Sequence, residues 1–179
     1  AEANAVAVLT TGTVTATLAS GSAADLNAAL TETALNAYTI TVTGTSAAMG
    51  DLNALNAKTS VAINVDTVTG LTGTNAELTS LLGGQVTLAT APGFEATGTT
   101  GFDGNETITL TDTVTAAQAG VAQAATTTNV TATVSDTLAN FIGTGGGAAN
   151  LEAGHAITFV LSETTATALN LKAADALTT

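Results

Sequence analysis

The stretch "GFDGNET", residues 101–107, sets three oxygen-bearing side chains, Asp103, Asn105 and Glu106, around Gly104. Hard oxygen donors gathered at a tight glycine turn are what calcium takes, so these three are the candidate calcium ligands. Neither the EF-hand spacing nor the glycine-rich calcium-binding repeat of secreted toxins is present. An ordinary Asp-Gly turn leading into a strand is the simpler reading of the same residues. The only histidine, His155, follows Gly154 at the start of the last strand-like segment, with no Cys, Arg or paired carboxylates beside it. A lone imidazole without a nucleophile or a second acid is a poor seed for catalysis, and a structural role is expected of it.

Glycosidase and lyase chemistry needs clustered carboxylates or cations at a cleft, and here Asp and Glu are scattered singly and Arg is absent. The sequence therefore reads as that of a protein that is not an enzyme. Fourteen acidic against two basic residues give a net charge of −12. That balance argues against nucleic acid, whose phosphates need cationic contacts, and against anionic lipid. With no Cys there is no disulfide framework and no thiolate metal site. No apolar run is long enough to insert into a membrane.

These residues sit on a repeating frame. "VTATLAS" from Val14, "TITVTG" from Thr39, "AINVDT" from Ala62, "QVTLAT" from Gln85, "TITLTDT" from Thr107, "VTATVSDT" from Val130 and "AITFVLSET" from Ala156 alternate apolar and polar residues. Such alternation marks strands with one face in a core. Aligned on Leu18, Val42, Val65, Leu88, Leu110, Val134 and Leu161, they recur at spacings of 24, 23, 23, 22, 24 and 27 residues. Most are followed by a hydroxyl residue and an Ala/Leu/Asn-rich stretch, beginning at Ser22, Ser46, Thr74, Thr115 and Thr165. Thr74 with Glu77 and Thr115 with Gln118 fit the capping box that opens a helix. The expectation is a β/α solenoid over a single domain, residues 1–179, of seven coils of about 23 residues, each a parallel strand plus a short helix or loop. An all-β parallel β-helix is the alternative. Aromatics are only 3% of the chain, which suits a thin core of small side chains between close layers.

One coil departs from the pattern. "APGFEATGTTGFDGN", from Ala91, carries the only Pro and two of the four Phe, and no Leu. A loop is expected there in place of a helix, with Phe94 and Phe102 covering the space. The Asp of "VDT", "TDT" and "SDT" (Asp66, Asp112 and Asp136) is expected to cap turns or helix starts. The outward Thr residues, Thr17, Thr41, Thr43, Thr87, Thr109, Thr111 and Thr133, would form exposed columns, interrupted by Asn64 and Asp66. Regular Thr columns resemble the ice-binding faces of hyperactive antifreeze solenoids, but Thr also suits any exposed pleated surface.

The segments "SGSAADLNAAL", "TGTSAAMGDLNAL" and "TGTNAELTSLL", with the strand-plus-"DT" elements "TITLTDT" and "TATVSDT", resemble short repeats of very large secreted bacterial surface proteins, cyanobacterial ones included. Similar phrases occur in phage tail fibres, and the Thr/Ala/Gly-rich, Cys-free composition is similar to that of S-layer proteins. The resemblance implies a bacterial extracellular or cell-surface protein with a structural or adhesive role, forming a rod, fibre or layer. It implies no catalytic residues and no cofactor beyond possible calcium. A ligand-binding module for ice, glycan or calcium, or a tail-fibre segment, are the alternatives. The chain opens "AEANAVAVLT" without Met and closes "TTATALNLKAADALTT", neither of which reads as a polar cap. Stacking on further repeats and end-to-end self-association are therefore expected.

Overall fold

A computed structural model describes residues 2–94, 101–142 and 151–177. Local sequence sets most of the helices. In α4 (Asn75–Leu82) the Thr74 side chain accepts from the Glu77 N–H, and Glu77 returns a bond from the Thr74 N–H. Gly83 ends α4 at φ +55°, a conformation that suits glycine. A Cβ at Gly83 would run into the Pro92 ring, so the only proline packs against the end of α4. In α5 (Ala116–Ala125) Thr115 and Gln118 form the same reciprocal box. Ser22, Thr137 and Thr167 cap α2 (Ala23–Ala29), α6 (Leu138–Phe141) and α7 (Ala168–Asp175). The remaining helices are α1 (Glu2–Ala7) and α3 (Met49–Asn56).

Among the described residues all strand pairing is parallel. β1 (Thr15–Thr17) pairs with β2 (Ala37–Thr39) in a two-stranded sheet. β3 (Ser46–Ala48), β4 (Gly70–Gly73), β5 (Thr107–Val114), β6 (Val130–Asp136) and β7 (Ala156–Leu161) form a five-stranded sheet in sequence order. The helices α2 to α7 pack one against the next in the same order. Apolar residues of β5 and β6, Ile108, Leu110, Val130 and Val134, point into the core, while Thr107, Thr111 and Thr131 face water. Along α5 the inward residues at three-residue steps, Ala116, Ala119, Ala122 and Ala125, are all fully buried alanines. Side chains this small let the helix lie close to the sheet, which is why the core needs few aromatics.

The expected seven-coil solenoid is not what forms, and neither is an all-β helix. The chain folds as a compact α/β structure with two sheets, of five and two strands, and seven α-helices among the described residues. Two of the expected strands are missing, and a third, Thr39–Gly44, keeps only Thr39 at the end of β2, with Thr41 and Val42 making isolated bridges to Asn64 and Gly21. Ala62–Thr67 contributes only isolated bridges, Thr41 to Asn64 and Ile63 to Phe94. Gln85–Thr90 has no strand and ends in a 3-10 turn at Leu88–Thr90, with Val86 in water. Conversely, Ser46–Ala48, expected to open a helix, is β3, and the glycine-rich Gly70–Gly73, outside all the expected strands, is β4. The reason is pairing. Alternation marks a segment able to be a strand, but a strand forms only where a neighbour offers a free edge in register. β4 has such edges on both sides.

The replaced helix is as anticipated at its two ends. Phe94 and Phe102 are both in the core, their rings 4.9 Å apart. The residues between them, 95–100, lie outside the described segments.

Candidate functional site

The three candidate calcium ligands form one turn ahead of β5. Glu106 is only 2% exposed. Its Oε1 accepts from the Asp103 N–H at 2.9 Å and its Oε2 from the Gly104 N–H at 3.1 Å. Asp103 Oδ1 accepts from the Asn105 N–H at 2.8 Å, and Gly104 takes φ +82°. From the segment after α5, Thr126, Thr127 and Thr128 close over the turn. The Thr126 hydroxyl donates to the carbonyls of Gly104 and Glu106, Thr127 to Asn105 Oδ1, and Thr128 to the Asn105 carbonyl. Burial pushes the Glu106 carboxyl above its ordinary 4.5, against the opposing effect of the backbone N–H donors. The Asn105 backbone N–H, and then its side chain, hold exposed Asp103 below 3.8.

Asp103, Asn105 and Glu106 share a cavity of about 210 Å³ with Asp66, Val68, Thr69 and Gly101. Asp66, read from sequence as a cap, lies instead at this cavity. Both Glu106 oxygens already hold backbone donors, so a cation there would have to share them. Among the described residues no three Asp, Glu, His or Cys side chains gather in a group able to hold a metal ion. The bonds from Thr126, Thr127 and Thr128 tie the loop before β5 to the segment before β6.

The Thr residues fall into several settings. Thr17 is in β1, exposed, and pairs with Thr39. Thr41 bridges Asn64, and Thr43 is exposed. Thr87 precedes the 3-10 turn outside either sheet. Thr109 lies beside Thr72 and Thr131, while Thr133 lies beside Thr113 and Thr158, because the β5–β6 register shifts between Thr109 and Thr113. Thr111 lies within that irregularity, exposed.

A relay of carboxylates is the feature that sequence alone half revealed. Asp112 on β5 accepts from the first N–H of α4, at Asn75. Asp136 on β6 accepts from the first N–H of α5, at Ala116, and Glu163 just past β7 accepts from the first N–H of α6, at Leu138. Each strand end thus supplies the acid for the helix that precedes it in the chain. Helix N-termini leave donors free and carry positive partial charge, so a carboxylate there stabilises the join. Burial alone would raise Asp136; its bonds from Asn140, Ala116 and Thr137 outweigh that and hold it below 3.8. The "TDT" and "SDT" signals identified two of these acids, but which helix each would meet depended on the fold. Glu163 had no such signal. His155 also has a structural partner: its Nδ1 accepts from the Val130 N–H at 3.0 Å.

Sequence reasoning also missed an interior pair. The Glu32 carboxylate lies near the hydroxyl of fully buried Tyr38, and among the described residues neither is at hydrogen-bond geometry to a partner. Burial first, and Glu32 second, raise the phenol above its ordinary 10.0.

Of the nine large apolar side chains left in water among the described residues, Leu35, Val86 and Val121 are scattered and the other six lie toward the two ends of the helix series. Val6, Val8 and Leu9 lie in and just after α1, and Val160, Leu169 and Leu171 in β7 and α7. At the first end, Ala3, Ala16, Leu18, Leu26, Ala29 and Leu30 line a mostly apolar groove of about 450 Å³, with Glu2 also lining it. At the other, the outer edge of β7 has no strand beside it among the described residues. No helix among the described residues is long and apolar enough to cross a membrane. No known family model, characterised protein or solved structure matches this chain.

Proposed function

We propose that this protein is a structural component of a bacterial cell surface or extracellular layer, rod or fibre, acting by end-to-end association and not by catalysis. The observation that supports this is the placement of exposed apolar side chains. Among the described residues six of the nine large ones lie in or just after α1 (Val6, Val8 and Leu9) or in β7 and α7 (Val160, Leu169 and Leu171), and the Thr-bearing strand faces lie between. Surfaces of this kind on opposite ends make a heterologous contact, which propagates into open chains unless its rotation closes a ring.

The net charge of −12 opposes association at low salt, so assembly should strengthen as ionic strength rises from about 20 mM to about 1 M and the Debye length shrinks. Sedimentation velocity and negative-stain electron microscopy across that range test the reading. A mass that rises with concentration and salt, with linear particles, supports it. A strict monomer throughout overturns it. Release of the protein by protease treatment of intact producing cells tests the surface location.

A further inference from the structure

We infer that the contact is made by α7 of one copy seating on the groove between α1, β1 and α2 of the next, with Lys172 paired to Glu2. The inference rests on the end-to-end reading above and specifies its surfaces. Leu169, 78% exposed, and Lys172 are three residues apart on α7 and so share a face. That face is turned away from Ala174, the buried residue of the helix. The groove at the other end offers the matching chemistry: an apolar floor of Ala16, Leu18, Leu26 and Leu30, and a carboxylate at Glu2.

The pairing of Lys172 with Glu2 is what favours a second copy as the occupant. The chain has two cations in all. Lys58 is already engaged, donating to the Asn27 carbonyl and side chain and to the Leu30 carbonyl at the end of α2. The Lys172 side chain is exposed and has no hydrogen-bond or ion-pair partner among the described residues, its backbone carbonyl alone accepting, from the Ala176 N–H. In so acidic a protein, the one available cation lies beside the most exposed leucine of the last helix. The groove that would receive that leucine carries an acid. An ion pair at the edge of an apolar contact fixes orientation and partner more than it adds affinity, which suits a head-to-tail joint that must not form head to head.

Charge reversal tests this, with both sites on the surface and the fold checked by circular dichroism. Glu2→Lys and Lys172→Glu, each alone, should weaken association about tenfold, a loss of about 1.4 kcal/mol. The double variant Glu2→Lys/Lys172→Glu should recover it to within about threefold of the unaltered protein. Leu169→Ser should weaken association about tenfold or more without altering the salt dependence. If the unaltered protein assembles and the single reversals assemble equally well, or the double variant fails to recover, this interface is wrong while the end-to-end reading stands. If the unaltered protein never assembles, the end-to-end reading fails and this interface with it.

Discussion

In the five-stranded sheet the backbone ladders lengthen from three positions between β3 and β4 to six between β6 and β7, whereas the two-stranded sheet has only the three positions at which β1 and β2 meet. In that first region side chains make up the difference. Asn36, buried, accepts the Val14 N–H through Oδ1 at 2.9 Å. Thr59, also buried, accepts the Tyr38 N–H at 3.0 Å and donates to the Tyr38 carbonyl at 2.7 Å. Ser60 donates to the Asn36 carbonyl, and Lys58 to the Leu30 carbonyl. The carboxylate relay, by contrast, is seen among the described residues only in the five-stranded region. A short strand leaves backbone groups that must still be satisfied once buried, and here polar side chains do what a longer ladder does elsewhere. The two regions should therefore fail to different mutations, the first to loss of a hydroxyl or amide, the second to loss of apolar volume.

The largest effect is expected from Ile108→Ala. Ile108 is fully buried at the centre of the five-stranded sheet, and its truncation should destabilise by about 2–5 kcal/mol in chemical denaturation, through lost burial and the cavity left behind. Thr59→Val keeps the shape and removes the hydroxyl that serves the Tyr38 and Val61 backbones. A cost of about 1–3 kcal/mol is expected for the buried groups left unpaired. If Thr59→Val proved neutral, the side-chain account of the first region would be wrong, and the two sheets would not differ in the way described.

The smallest effect is one of pH dependence and separates the turn before β5 from the relay. Glu106 is held above 4.5 in the fold, so its contribution is fully present below that value and is lost as pH rises through the raised pKa. Asp136 is held below 3.8, so its contribution is present above that value and is lost as pH falls through the lowered pKa. Melting temperatures of Glu106→Gln should accordingly lack part of the decline with rising pH above 4.5, while keeping the acid loss below 3.8 that Asp136 produces. An unchanged slope above 4.5 in Glu106→Gln would show that Glu106 does not titrate differently on folding.

What the sequence determined by itself is local. Thr74 with Glu77 and Thr115 with Gln118 are reciprocal caps in the folded chain, because a capping box closes within four consecutive residues and needs nothing from elsewhere. The alternation of "TITL" and "VTATV" placed Ile108, Leu110, Val130 and Val134 inward, since period two fixes which face a residue takes once the segment is extended. The Asp103–Glu106 turn was also legible as a turn, its partners being two or three residues away.

Tertiary structure decided what depends on neighbours. Gly70–Gly73 has little strand character of its own and is a strand because β3 and β5 flank it; Gln85–Thr90 has the right alternation and no flanking edge. The same dependence broke the expected Thr columns: a register shift of a few residues in β5 moved Thr109 beside Thr131 and Thr133 beside Thr113. It also sent Asp112 and Asp136 to the helix preceding each strand and Asp66 to a cavity. A spacing of about 23 residues fixes how often the chain returns, but which edges it finds on returning is settled by backbone hydrogen bonding between segments far apart in sequence, and that no single segment encodes.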